Sequence, residues 1–182
     1  RWPGGLPASE VSEVLFNTVD FLPTLLGWMG VDCPQTAEGT DLGPAIAGRE
    51  EGPASAFLQV VVPFAEQVDV EWRAVRTRQY TYAEDADGPW LLYDNLADPD
   101  QVDNLVVRPD CVQLQRELAG ELRQWLQRTG DSFERREWYL ERYGYPMAGE
   151  RPAVPYTYDL DEPEEGWPPQ IVARRREDLA KG

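Results

Sequence analysis

Residues Glu71–Asn95 read EWRAVRTRQYTYAEDADGPWLLYDN, and this stretch decides the fold. Trp72, Ala74 and Val75, then Tyr80 and Tyr82, alternate with polar neighbours as in a half-buried strand. EDADGP is a turn, and WLLYDN (Trp90–Asn95) is a further short strand. Just upstream, AFLQVVV (Ala56–Val62) is rich in strand-forming residues. Short consecutive strands joined by tight turns predict an antiparallel meander, because parallel strands need a long crossover between them.

Downstream, YDNLADPDQVDNL (Tyr93–Leu105) crowds carboxylates into a short stretch and raises the question of a metal loop. A calcium EF-loop needs oxygen ligands at alternating positions, Gly at the sixth and Glu at the twelfth. Counting from Asp94 puts Leu96 third, and counting from Asp98 puts Asp103 sixth, so neither register fits. Capping chemistry explains the residues better. Asp98 is read as an N-cap, Pro99 as the first helical residue and Gln101 as the third residue of a capping box. Asn104 is expected to take a left-handed turn conformation, and Leu105 to anchor in the core.

The clearest helix is Arg108–Gly130, with Leu114, Leu118, Leu122, Trp125 and Leu126 on one face, Pro109 at its start and Gly130 past its end. DSFE (Asp131–Glu134) reads as a capping box opening a second helix that stops at Gly144. Upstream, Asn17–Val31 is a third helix, capped by Thr18 or Asp20 and stopped by Gly30. It is apolar on more than one face, and so is expected to be buried on most sides against a larger body. Cys33–Ser55 is a Gly/Pro-rich connection in which DLGPAIAG allows one helical turn. Beyond Tyr145 the chain is rich in Pro and acid and reads as an extended tail.

The net charge is -16, which argues against nucleic acid or an anionic membrane as a partner. No apolar run is long enough for a membrane helix. The chain contains no His, so it cannot supply a Ser-His-Asp or Cys-His centre. Cys33 and Cys111 are read as two separate thiols. The acidic run Asp159–Glu165 and the basic Arg174–Arg176 read as solvated faces, and Trp138, Tyr139, Tyr143 and Tyr145 as packing aromatics. The opening RWPGGLPAS has neither Met nor a leader pattern, and the chain is treated as part of a longer protein.

Taken in order, these segments resemble the type I, formylglycine-dependent sulfatases of the alkaline phosphatase superfamily. VDFLPTLLGWMGVDCP (Val19–Pro34) is similar to the family's Val-Asp-x-x-Pro-Thr-Leu-Leu helix and the loop after it, and GTDLGPAIAG (Gly39–Gly48) to the motif that follows. The Arg-Thr-x-x-Tyr strand, Leu-Tyr-Asp, Asp-Pro and Asn-Leu of Arg76–Leu105 resemble its C-terminal hairpins. RTGDSF, YGYPM and AVPYTY are similar to the ends of bacterial members.

The resemblance implies an α+β chain. It would hold the last part of an alkaline-phosphatase-like α/β sandwich, then a small antiparallel sheet of about four strands packed with a long C-terminal helix. Residues 1–50 would end the catalytic domain, 51–145 form the sheet-and-helix subdomain, and 146–182 form the tail. It implies sulfuric ester hydrolysis by the whole protein, with an N-terminal catalytic domain and a sulfate-ester substrate as partners. Calcium and formylglycine are expected in that N-terminal part, with no cofactor, catalytic residue or metal ligand in this chain. Neither Cys33 nor Cys111 fits the family's nucleophile motif. The chain is expected to complete the fold, to rim the substrate pocket through Gln59, Phe64, Glu66 and Arg73, and to be inactive alone. Two alternatives stay open: a phosphonate or phosphodiester hydrolase of the same superfamily, and a stand-alone interaction or carbohydrate-binding module. A soluble protein is expected, with the periplasm, the exterior and the cytoplasm all open.

Overall fold

The computed structural model describes residues 11–61 and 70–144, together with the backbone of 147–148 and 151–152. The chain divides into two compact units, one of Arg1–Gln59 with Arg73–Ser132 and the other of Val60–Trp72 with Phe133–Gly182.

The first unit is built on the expected meander. Strands β1 (Ser55–Val60), β2 (Trp72–Thr77), β3 (Tyr80–Asp85) and β4 (Gly88–Asp94) lie side by side in chain order as an antiparallel sheet. The turns are closed by side chains. Thr77 Oγ1 accepts from Tyr80 N (2.8 Å) between β2 and β3. Asp85 Oδ1 accepts from Asp87 N (2.8 Å) and Gly88 N (3.0 Å) between β3 and β4. Gly88 sits at φ 130, a conformation that residues with a Cβ rarely adopt. Tyr82 pairs with Leu92 and Ala83 with Leu91, and the register shifts after Ala83. Pro89, which has no N–H for a ladder, lies beyond that shift on an outer strand.

Helix α3 (Val112–Thr129) covers one face of the sheet and ends where Gly130 turns left-handed at φ 66, as its sequence predicts. Phe57, Val75, Tyr82 and Leu92, one from each strand, pack with Leu118, Ala119 and Leu122 of the helix. Leu105, Leu114, Trp125 and Leu126 close the margin of this core. Burying one such large apolar side chain stabilises by roughly 1.5–3 kcal/mol.

A polar clip ties β1 to the helix. Trp125 Nε1 donates to Ser55 Oγ (2.8 Å), and Ser55 Oγ donates to Glu121 Oε1 (2.6 Å). The Trp125 ring stacks on Phe57 with centroids 6.0 Å apart, and the Arg128 guanidinium lies 4.2 Å from its centroid. Tyr82 is fully buried, and its hydroxyl donates to Glu84 Oε1 (2.8 Å). Burial, then the hydrogen bond and charge of Glu84, push its phenol well above the ordinary tyrosine range.

The N-terminal helix is shorter than expected and differently capped. Asn17 caps the opening turn, and Asp20 takes the N-cap position of the helix proper without a side-chain bond there. Asn17 Oδ1 accepts from Thr18 N (2.7 Å), opening a 3-10 turn (Thr18–Asp20) that runs into α1 (Phe21–Met29). Asp20 instead closes the box on Asn17 N (3.0 Å), and its second oxygen accepts from Thr40 N (2.9 Å). Gly30 stops the helix at φ 66. The buried hydroxyl of Thr24 accepts from Leu42 N (3.0 Å), which holds the connection leading to the single turn α2 (Gly43–Ile46). Gly39 passes so close to the Val19 carbonyl that a Cβ there would overlap it.

The expectation that this helix is buried on most sides does not hold within the described residues. Only Pro23 and Thr24 of α1 are buried, while Phe21 is 59 % exposed, Leu22 50 % and Met29 64 %.

The second unit contains α4 (Arg136–Tyr143), ended by Gly144 at φ 68 as expected. Its start differs. Arg135 occupies the cap position with no side-chain capping bond, and Asp131 pairs with Arg73. Tyr139 and Leu140 are buried, whereas Trp138 and Tyr143 are largely exposed. The backbone of Met147–Ala148 pairs antiparallel with Arg151–Pro152. Tyr145, the acidic run and Arg174–Arg176 lie outside the described residues.

Candidate functional site

Two of the four expected rim residues are described. Gln59 is exposed on β1. Arg73, on the neighbouring β2, is fully buried, and its guanidinium grips the Asp131 carboxylate in a fork. Nε bonds to Asp131 Oδ2, and Nη2 donates to Oδ1 at 3.2 Å. This pairing across 58 residues fixes β2 to the segment just after α3. Phe64 and Glu66 lie outside the described residues.

Between the end of β4 at Asp94 and a 3-10 turn at Leu105–Val107, the stretch is turns and irregular chain, with no helix at Pro99–Gln101. The carboxylates bind backbone. Asp94 Oδ1 accepts from Leu96 N (3.0 Å) and Ala97 N (3.1 Å), and its Oδ2 accepts from Gln79 Nε2 (2.9 Å). Asp98 Oδ2 accepts from Asp103 N (2.8 Å), so Asp98 closes a turn and caps no helix. The left-handed residue is Gln101 (φ 54), whereas Asn104 is extended at φ -76. Gln101 is held there because its amide reaches Asn95 Oδ1 (2.7 Å) and Thr81 Oγ1 (3.1 Å), a tertiary pull that overrides the local capping box.

Asn104 has a different role from the one its sequence suggests. Its Oδ1 accepts from Leu92 N (3.0 Å) and Val106 N (3.1 Å), and its Nδ2 donates to Trp90 O (3.1 Å). Leu105 does anchor against the core.

The Gln79 amide, with the Ala97 and Leu96 N–H groups, holds the Asp94 carboxyl below the usual carboxylate range. A carboxyl whose folded pKa is depressed adds stability above its unfolded pKa and loses it as pH falls through the folded value. Asp94→Asn is therefore expected to flatten the acid limb of the stability curve below the ordinary Asp range. Denaturant melts at stepped acid pH would measure it, and a limb unchanged in the variant would reject the assignment.

No group of three or more described Cys, Asp or Glu side chains is placed to hold a metal ion. Asp94 and Asp98 already accept backbone N–H groups, as does Asp41 from Gly43 N (2.8 Å), so this donor set does not fit a calcium cage. Cys33 and Cys111 are free thiols. Among the described residues, no helix is long and apolar enough to cross a membrane.

A four-stranded meander under one long helix, preceded by a capped apolar helix and its Gly-rich connection, defines the C-terminal domain of a sulfatase of the alkaline phosphatase superfamily. Residues 1–129 match the family described as N-sulphoglucosamine sulphohydrolase, C-terminal, and the chain belongs to that family. It is 41 % identical over 142 residues to an ulvan-active sulfatase of Formosa agariphila, covering 77 % of this chain and 28 % of that protein. Over 125 residues it is 28 % identical to an N-acetylglucosamine-6-O-sulfatase of Bacteroides thetaiotaomicron, covering 65 % of this chain and 22 % of that protein. The solved structure of a 2-O GAG sulfatase shares the fold, with TM-score 0.62 and 24 % identity over 71 % of this chain and 29 % of that one. The chain thus spans about a quarter of the length of these relatives.

Proposed function

We propose that the chain is the C-terminal part of a sulfuric ester hydrolase acting on sulfated carbohydrate, and that it is inert by itself. The observation that carries this reading is the open apolar face of α1, where Phe21, Leu22 and Met29 stand half or more exposed beside a buried Thr24. A helix with this face needs a body to cover it, and the sulfatase relatives are several times longer than this chain. On this reading a catalytic part precedes residue 1 in the parent protein and carries the calcium and formylglycine. Residues 1–50 end that part, 51–145 form the sheet-and-helix subdomain, and 146–182 form a tail. The names of the two curated relatives support a carbohydrate sulfate as substrate.

Gln59 on β1, together with Phe64 and Glu66, then serves as a rim contact to that substrate. Arg73, buried on β2 and paired with Asp131, serves that rim as a positioning residue and not as a contact.

The test is a side-by-side assay of the chain and its parent protein on an aryl sulfate and on sulfated oligosaccharides. Turnover is expected from the parent and none from the chain. Hydrolysis by the chain alone would overturn the inert-part reading. A parent that cleaves phosphonate esters and spares sulfate esters would transfer it to the phosphonate hydrolases. Leu22→Glu, which would bury a charge against the covering body, is expected to reduce the parent's folded yield while leaving the melting of the chain alone unchanged.

A further inference from the structure

Helix α4 presents a face that the fold does not use. Its aromatics are expected to pack, and Tyr139 is buried as expected. Trp138 stands 43 % exposed, although tryptophan is a highly buried residue on average. The ring is held in place by its neighbour. Tyr139 meets it edge to face, with centroids 5.1 Å apart and planes at 84°. Tyr139 is itself fixed, because its hydroxyl accepts from Glu134 N (3.1 Å). A side chain ordered in advance loses little freedom when a ligand arrives.

Cations flank this ring. Residues three and four apart are neighbours on a helix surface. Arg142, four after Trp138, therefore lies beside the indole, and Arg135, three before it, stands on the same stripe. Both arginines are exposed. Arg136 lies further round the helix and is paired with Glu137 at 2.8 Å. Arg142, in the last turn, makes no ion pair among the described residues. Residues 135–143 hold three arginines against two glutamates in a chain of net charge -16, so the local charge runs against that of the molecule.

We propose that Trp138 and Arg142, with Arg135 beside them, form a binding site for a sulfated sugar unit. This rests on the reading given under Proposed function, in which the substrate is a sulfated carbohydrate. A pyranose ring has a face of C–H bonds that lies well on the electron-rich face of an indole. A sulfate half-ester is a permanent anion, and a guanidinium fork meets its oxygens in pairs, as it does those of a phosphate. Glu141, three after Trp138, borders the same ring and is placed to accept from sugar hydroxyls. A purely apolar partner would leave Arg142 without a counter-charge. A small inorganic anion would leave the indole in water. A densely charged polymer would meet the acids of the rest of the chain.

The test is a titration of the 182-residue chain, labelled with 15N at tryptophan, with glucose 6-sulfate, glucose and sodium sulfate. The Trp138 indole signal is identified by its loss in Trp138→Ala. Glucose 6-sulfate is expected to shift that signal, and glucose or sodium sulfate alone to bind about tenfold more weakly, since each lacks one of the two contacts. Arg142→Gln is expected to weaken glucose 6-sulfate binding by about tenfold as well, the worth of a hydrogen bond to a charged group. It alters an exposed side chain, so it reports even where Trp138→Ala disturbs the helix. An indole that does not respond to glucose 6-sulfate would overturn the proposal. Sodium sulfate binding as well as the sugar would reduce the site to simple anion attraction and overturn it too, as would an unchanged affinity in Arg142→Gln.

The same titration of the parent protein is expected to shift the Trp138 signal again. A signal that responds in the chain and is silent in the parent would mean that the catalytic part covers this face, and would also overturn the proposal. Turnover of an aryl sulfate by the unmodified parent tests the underlying reading separately, so failure of one is not mistaken for failure of the other.

Discussion

Arg73→Met is expected to lower the stability of the chain by about 3–5 kcal/mol, as removing one partner of a buried ion pair does. Arg73 is fully buried and its partner Asp131 is only 11 % exposed. Losing the cation leaves a carboxylate in a site with little water to solvate it. Asp131→Asn leaves the guanidinium in the same position, and the loss is expected to be of similar size. The double variant Arg73→Met/Asp131→Leu should recover much of it, because two apolar groups of similar volume often match a buried pair. Both side chains engage further partners, so the recovery is partial. Urea melts of the four proteins in a double-mutant cycle provide the measurement. A single variant within about 0.5 kcal/mol of the parent chain, the range of ordinary surface changes, would refute the assignment.

Trp125→Ala is the second large effect, an expected loss of about 3–5 kcal/mol for removing a large aromatic from a packed site. The indole joins three contacts at one point. It stacks on Phe57, donates to Ser55, and supports Arg128 on its outer side. Trp125→Phe keeps the stacking and loses the N–H donor, so it should cost about 0.5–1.5 kcal/mol, the size of one net hydrogen bond. Equal losses in the two variants would mean that the hydrogen bond, and not the ring, holds β1 to α3.

The meander and the long helix were legible because their signals are local. Alternation along Trp72–Tyr82, the Asp85–Gly88 turn and the apolar face of α3 each declare themselves within a few residues. So do the stops at Gly30, Gly130 and Gly144, all left-handed. The misread points are residues with two possible partners, one near and one far. Asp131 has the spacing of a helix cap, and Asp98 and Gln101 that of a capping box. Arg73 stands 58 residues before Asp131, and Thr81 stands 20 residues before Gln101. In both cases the distant partner prevailed, and nothing in the local sequence marks it.

The candidate site was less legible for the same reason. An arginine in an alternating strand reads as a surface residue, since buried arginines are rare unless paired. The pair appears only once strand and helix are packed. Asn95 reads in the sequence only as the end of a strand, and its cluster draws on β2, β3 and the loop after β4.

Asn104 has a consequence beyond the turn that it closes. β4 is an outer strand of the sheet, and such a strand presents unpaired N–H and C=O groups to any other chain with an edge of its own. By taking the N–H of Leu92 and the C=O of Trp90, the Asn104 amide acts as one rung of a further strand, where the sheet of the described residues ends. A side chain that binds the edge in this way protects it from pairing with a second copy, and so guards the protein against aggregation from that side.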